Sequence, residues 1–182
     1  DIIDAREDDP CNPTGFYSIT KRCAESLVIS YCKTFGIDYR IFRIGNVFGI
    51  DPTVTPGKNV LGYMIRCLKN NDPIKLYGGG DYQKDYIYVD DVCRAIDELM
   101  VFGKPNEIYN IGTGVSRSFR EIIEYCKEKV GSTSELIDVP FPEDQDYLQI
   151  KNFTMNVDKL TSLGFVPKLD IDTGLDMMCK VY

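Results

Sequence analysis

"GFYSITKRCAESLVISYCKTFGIDYRIFRI", residues 15–44, decides the fold. Apolar groups at Ala24, Leu27, Val28, Tyr31, Cys32 and Phe35 recur at helical spacing, which predicts a helix over 15–35. Gly36 follows where a left-handed helix stop is expected. "YRIFRI" (39–44) then reads as a strand. A helix, a short glycine turn and a strand make half of a parallel α/β unit.

The same alternation continues outward. "DIIDAREDDPCNP" at the start is acidic and broken by proline, and is expected to be a loop. "GNVFGIDPTVTPGKN" (45–59) is a long Gly- and Pro-rich connection, of a length that usually carries function. A helix is predicted from about Asn59 to Leu68, and two short strands around a glycine turn over 73–89. Asp90 and Asp91 are expected to cap a helix running to about Phe102. "EIYNIG" (107–112) is a strand, and Ser118 with Glu121 forms a capping box for a helix to about Val130. "ELIDVPF" is a late strand, and two short helical pieces follow. The class is α/β, with residues 15–50 as the end of a doubly wound sheet and the rest as a smaller α/β lobe.

Composition narrows the chemistry. The 182 residues are 43% hydrophobic and 27% charged, enough for one domain with a core. A net charge of −7 with scattered Lys and Arg disfavours a nucleic-acid surface. No apolar run approaches the ~20 residues of a membrane span, and no signal peptide opens the chain. Seven cysteines stand apart at 11, 23, 32, 67, 93, 126 and 179, and there is no histidine. That pattern predicts no metal site; it fits reduced cytoplasmic thiols used as small apolar residues. Without histidine, acid–base work near neutral pH falls to Tyr, Lys, Cys or a carboxylate.

Tyr-x-x-x-Lys pairs fall in two of the predicted helices: Tyr17–Lys21 and Tyr125–Lys129. In a helix, i and i+4 share a face. A phenol titrates near pH ~10, so a tyrosine base at pH 7 needs about 4 kcal/mol of help, more than one lysine supplies. "EYCKEKVG" ends a helix, where lysines complement the dipole, so the second pair reads as structural. For the first pair the spacing alone favours a surface tyrosine stacked on a lysine stem and leaves catalysis open.

Five segments, in order, break the tie. "FYSITKRCAE", "FRIGNVFG", "YGGGDYQKDYIYVDDVCRAI", "IYNIGTG" and "TMNVDKLTSLGFVP" resemble the motifs of the extended short-chain dehydrogenases, specifically the NAD-dependent nucleotide-sugar epimerases and dehydratases, across about residues 10–175. Phe48 stands where that family usually has tyrosine.

The resemblance implies roles. Tyr17 would take a proton from the sugar hydroxyl as hydride leaves its carbon. Lys21 would hold the nicotinamide ribose and favour the phenolate. Ile44 would lie on the cofactor side. Asn46 would contact the sugar diphosphate. Asn59, Val60 and Leu61 would offer donors at a helix start. Tyr77 would lie against the base. Lys84 replaces a phosphate-binding arginine, keeping the charge but not the two-pronged fork. Asp144 would bind the nucleotide ribose, while Phe141 stands where an arginine is usual.

By the same resemblance, residues 1–50 would be the end of an NAD-binding Rossmann domain. Residues 51–182 would be mainly a nucleotide-sugar-binding lobe, from which strands can return to that sheet. The cofactor would be NAD, yet the sequence contains no Gly-x-x-Gly-x-x-Gly turn, so the chain is expected to be a C-terminal portion with little NAD affinity of its own. The partner would be a nucleotide-diphosphate sugar. Epimerase, dehydratase and decarboxylase stay open, as does a non-catalytic nucleotide-sugar-binding or dimerisation module. Helix 15–35 is apolar most of the way round, through Phe16, Ile19, Leu27, Val28, Ile29, Tyr31 and Phe35. One side is expected to meet the sheet and the other a second copy in a homodimer.

Overall fold

A computed structural model describes residues 1–141 and 150–182, and the elements below are numbered among these. Strand pairing is mostly parallel. Strand β2 (Arg40–Ile44) runs in register beside β6 (Glu107–Ile111), so Ile44 faces Ile111. Strand β3 (Asn46–Phe48) lies parallel to β5 (Gln83–Tyr88), and β5 takes β7 (Ser116–Ser118) antiparallel on its other edge. Strand β4 (Ile74–Tyr77) pairs with β8 (Leu136–Val139). The two strands flanking the glycine turn therefore pair with other strands, not with each other. Helices α1 (Phe16–Phe35), α2 (Val60–Asn70), α3 (Val89–Phe102), α4 (Phe119–Val130), α5 (Asp158–Thr161) and α6 (Ile171–Val181) alternate with them. This is the mixed α/β architecture expected from the pattern.

Strand β5 divides the core. Ile87 is fully buried among Val92, Leu99, Ile111 and Phe165. Its neighbour Tyr88 faces a larger cluster with Ile65, Leu76, Ile122 and Leu175, where α2, α4 and α6 meet. Successive residues of a strand point to opposite faces, so one strand serves both clusters. Each such buried side chain stabilises the fold by about 1.5–3 kcal/mol.

Local signals held in several places. Helix α1 stops at Gly36 in the left-handed region (φ 64), and Ser118 with Glu121 forms the expected reciprocal cap on α4. Four expectations need correction. The opening loop contains a strand, β1 (Ile2–Ala5), parallel to β9 (Phe153–Met155). Its partner lies so far along the chain that no local alternation announces it. Asp90 and Asp91 do not cap α3, which starts after Tyr88. The buried Asp91 carboxylate instead accepts from the Lys168 and Leu169 amides at 3.0 Å and from Arg94 at 2.5 Å.

The third correction concerns α1. None of its residues is buried, so the helix face expected against the sheet is largely open: among the described residues β2 and β6 form a sheet of only two strands, and Ile29 and Cys32 are only partly buried. What ties α1 down is polar. Arg43 on β2 grips the Glu25 carboxylate with two bonds, at 2.9 and 2.8 Å, and donates to the Glu7 carbonyl. The fourth concerns the thiols. Cys126 and Cys179 fill core positions as expected, but Cys11, Cys23 and Cys93 are exposed. No helix among the described residues is long and apolar enough to cross a membrane.

Candidate functional site

A cavity of about 760 Å³ opens between β3, the start of α2, β4 and β5. It gathers six of the expected residues: Asn46, Asn59, Val60, Leu61, Tyr77 and Lys84. Each arrives for a local reason. Asn59 stands in the left-handed region (φ 55), where asparagine is tolerated, and its side-chain oxygen accepts from the Gly62 amide at 3.1 Å. Val60 and Leu61 therefore begin α2 at the cavity wall, with Leu61 buried and Val60 exposed. On β4, Ile74 and Leu76 point into the core, so alternation sends Lys75 and Tyr77 to the cavity.

The glycine turn after Tyr77 lets an aromatic wall form. At Gly78 the backbone is left-handed (φ 55), and a β-carbon there would lie 2.5 Å from the Phe141 ring. Phe141 stacks on Tyr82 with centroids 5.1 Å apart and lies 6.0 Å from Tyr77. Arg120 pins the turn by donating to the Gly79 carbonyl at 2.8 Å.

Lys84 is the electrostatic centre of the cavity. Burial holds its ammonium below the usual lysine range. It donates to the Ile150 carbonyl, and among the described residues it has no carboxylate partner. A half-buried cation in an aromatic cavity, with no carboxylate partner among the described residues, is placed to receive an anion. Its orientation is fixed by the next residue. Asp85 is fully buried and accepts from the Thr113 amide and hydroxyl at 2.8 Å, the Gly114 amide at 2.9 Å and the Met155 amide at 3.3 Å. With Asp85 locked behind the sheet, Lys84 and Tyr86 face the cavity. Burial pushes the Tyr86 phenol up to about 12.

Tyr17, Lys21 and Ile44 are not among the cavity lining. Tyr17 is 75% exposed on the open helix α1, with the Lys21 ammonium 5.5 Å from its ring centroid. Ile44 is exposed at the end of β2. Asp144 lies outside the described residues. The decoy pair has an evident structural use: the Tyr125 hydroxyl and the Lys129 ammonium both bond Asp176 of α6, at 2.8 and 3.0 Å. Sequence reading missed Lys75, Tyr82 and Tyr86. Lys75 and Tyr86 stand two residues from Tyr77 and Lys84, so strand alternation alone places them on the same faces.

A family model described as the NAD dependent epimerase/dehydratase family matches residues 2–112. A putative UDP-glucose 4-epimerase of Methanocaldococcus jannaschii is 33% identical over 170 residues, covering 93% of this chain and 53% of that protein. The structure of Thermotoga maritima UDP-glucose 4-epimerase with UDP-glucose superposes with a TM-score of 0.87 at 26% identity, over 99% of this chain and 57% of that one. A dTDP-glucose 4,6-dehydratase of Streptomyces venezuelae, solved with NAD, gives 0.87 at 25% identity, over 99% and 54%. The chain spans about half the length of the curated relatives it matches.

Proposed function

Because this chain belongs to the NAD dependent epimerase/dehydratase family, we propose that it supplies the sugar-nucleotide cavity and the proton-transfer pair of a nucleotide-sugar epimerase or dehydratase. The observation that carries this reading is the cavity itself, which collects Asn46, Asn59, Tyr77 and Lys84 around an anion-ready ammonium. Its size suits a nucleotide-sized ligand. Its aromatic wall of Tyr77, Tyr82 and Phe141 offers a face for a base, and Lys84 a charge for a diphosphate. In place of the usual arginine, Phe141 extends the aromatic wall and adds no charge.

The fit to NAD is partial and lies at one end. Tyr17 and Lys21 share one helix face with cation and ring in contact, which suits a ribose hydroxyl beside a reacting carbon, and Ile44 ends the neighbouring parallel strand. NAD, when bound, supplies reversible acceptance of a hydride. The chain's own contribution is proton movement at the Tyr17 hydroxyl, with Lys21 stabilising the oxyanion and holding the ribose. Asn46, Asn59 and Lys84 hold the substrate by its nucleotide end, so that binding energy positions the sugar.

For the 182-residue chain by itself we propose binding without turnover, because Tyr17 is 75% exposed and stands outside the cavity lining. A homodimer through α1 belongs to the same proposal, since the helix exposes Phe16, Leu27, Tyr31 and Phe35. Calorimetric titration of UDP-glucose and dTDP-glucose tests the reading. Micromolar to millimolar binding of either, weakened about tenfold by Lys84→Ala, is expected. Absence of binding to both would refute it.

A further inference from the structure

We propose that Tyr182 is a positioning residue for the substrate loop, its hydroxyl setting the cavity wall through Asn59 and Asp51. The proposal rests on the reading that this cavity holds a nucleoside diphosphate. The loop over 49–59 brings Pro56 and Asn59 to the cavity, and no helix or strand element runs through it. Its two ends meet at one atom. The Tyr182 hydroxyl accepts from the Asp51 amide at 2.6 Å and from the Asn59 side-chain amide at 2.8 Å, and donates to the Asp51 carbonyl at 2.9 Å. A phenol has one donor and two acceptor sites, so all three are used. The same Asn59 caps α2 through Gly62 and lines the cavity.

The hydroxyl is itself held rigidly. Tyr182 follows α6, which is anchored in the core by Leu175, Met178 and Cys179. Its ring lies against α2, where a β-carbon at Gly62 would come within 2.7 Å of it. The Arg66 guanidinium stands 5.3 Å from the ring centroid. The packed core thus reaches the loop through the Tyr182 side chain, which joins its two ends, beside the contact of Tyr88 with the Ile50 backbone. A wall fixed before ligand arrives raises affinity by the fraction of molecules already competent, and loss of the hydroxyl lowers that fraction.

The test compares Tyr182→Phe, which keeps the ring, with the wild-type chain. UDP and dTDP titration and amide hydrogen exchange are both measured. We expect exchange at Asp51 and over 59–62 to quicken about tenfold or more while α4 amides stay protected. Nucleotide affinity should fall about tenfold, with the melting temperature shifted by no more than about 3 °C. Unchanged loop exchange, or loop and α4 amides quickening together, overturns the proposal. So does undiminished nucleotide affinity beside a wild type that binds. If the wild-type chain binds neither nucleotide, the proposed function fails, and the exchange result alone decides the role of Tyr182.

Discussion

The Tyr125 hydroxyl donates to the Asp176 carboxylate at 2.8 Å, across the contact between α4 and α6. Lys129 bonds the other oxygen of the same carboxylate at 3.0 Å and also stands 5.1 Å from the Tyr125 ring centroid. That carboxylate engages both members of one Tyr-x-x-x-Lys pair. The other pair, Tyr17 and Lys21, has the same spacing and a similar ring-to-cation distance of 5.5 Å, on a helix with no buried residue. Identical spacing therefore stands in two settings, one braced against a neighbouring helix and one open.

Substitution should separate them. In the assembled enzyme, Tyr17→Phe is expected to lower kcat by about 10²–10⁴-fold with sugar-nucleotide affinity within about twofold, since proton transfer matters most in the transition state. Tyr125→Phe should leave kcat within about twofold and lower the melting temperature by roughly 2–4 °C. Steady-state kinetics and thermal melts of both variants check this, and equal kinetic losses would contradict it.

Asp85→Ala should be among the most damaging single changes. It strands the Thr113, Gly114 and Met155 amides. The expected loss is about 3–5 kcal/mol, read by urea unfolding. A loss below about 1 kcal/mol would show that the carboxylate is not the hub its geometry describes.

Anion binding should weaken in alkali before an exposed lysine would titrate. Burial lowers the Lys84 pKa, so its ammonium discharges below the ordinary value of ~10.4. UDP affinity should fall as pH rises through that lowered value, and Lys84→Arg should hold it level to about pH 11. The same depression means that the unfolded chain binds more protons in this window, so the empty fold gains stability there as pH rises. A pH series of titrations and melts reads both signs.

Acid should release helix α1 first. Hydrogen bonds from Arg43, opposed by burial, hold the Glu25 carboxyl below the usual range. The stability they give is present above the unfolded value of ~4.3 and is lost as pH falls through the folded one. Amide exchange in 16–35 should quicken below about pH 4 while α4 stays protected, and Arg43→Met should show that faster exchange already at pH 7.

Self-association should follow from the open faces of α1. Phe16, Leu27, Tyr31 and Phe35 are 92, 71, 56 and 62% exposed. Light scattering at micromolar concentration is expected to give a species larger than 20.7 kDa, and Leu27→Lys with Tyr31→Lys to return the monomer. A monomer for the unchanged chain would remove the basis for the α1 dimer.

Much of this was legible in residue order because the relevant signals are local. The helix stop at Gly36, the Ser118–Glu121 cap and the alternation of β4 and β5 need only their neighbours. Strand β1 was not legible, because its pairing partner is Phe153–Met155. Nor was the purpose of Asp91, which looks like a cap until the Lys168 and Leu169 amides are brought to it from far along the chain. In the cavity, Asn59 and Lys84 were visible through motif resemblance. Lys75 lies outside the motifs and follows only from its alternation with Tyr77, while Tyr82 lies within the glycine-turn motif and shows its use only in the fold, stacked on Phe141.

The pairing of Ile2 with Phe153 also sets a timetable for synthesis. At about 5–20 residues per second, roughly eight to thirty seconds separate the emergence of β1 from that of β9. Through that interval Ile2 and Ile3 lack their β9 neighbour, and parallel closure over so long a loop is slow even once both strands exist. Asp1, Asp4, Asp8 and Asp9 surround that edge with like charge. Such charges discourage nascent chains from pairing with one another while the proper neighbour is still being made.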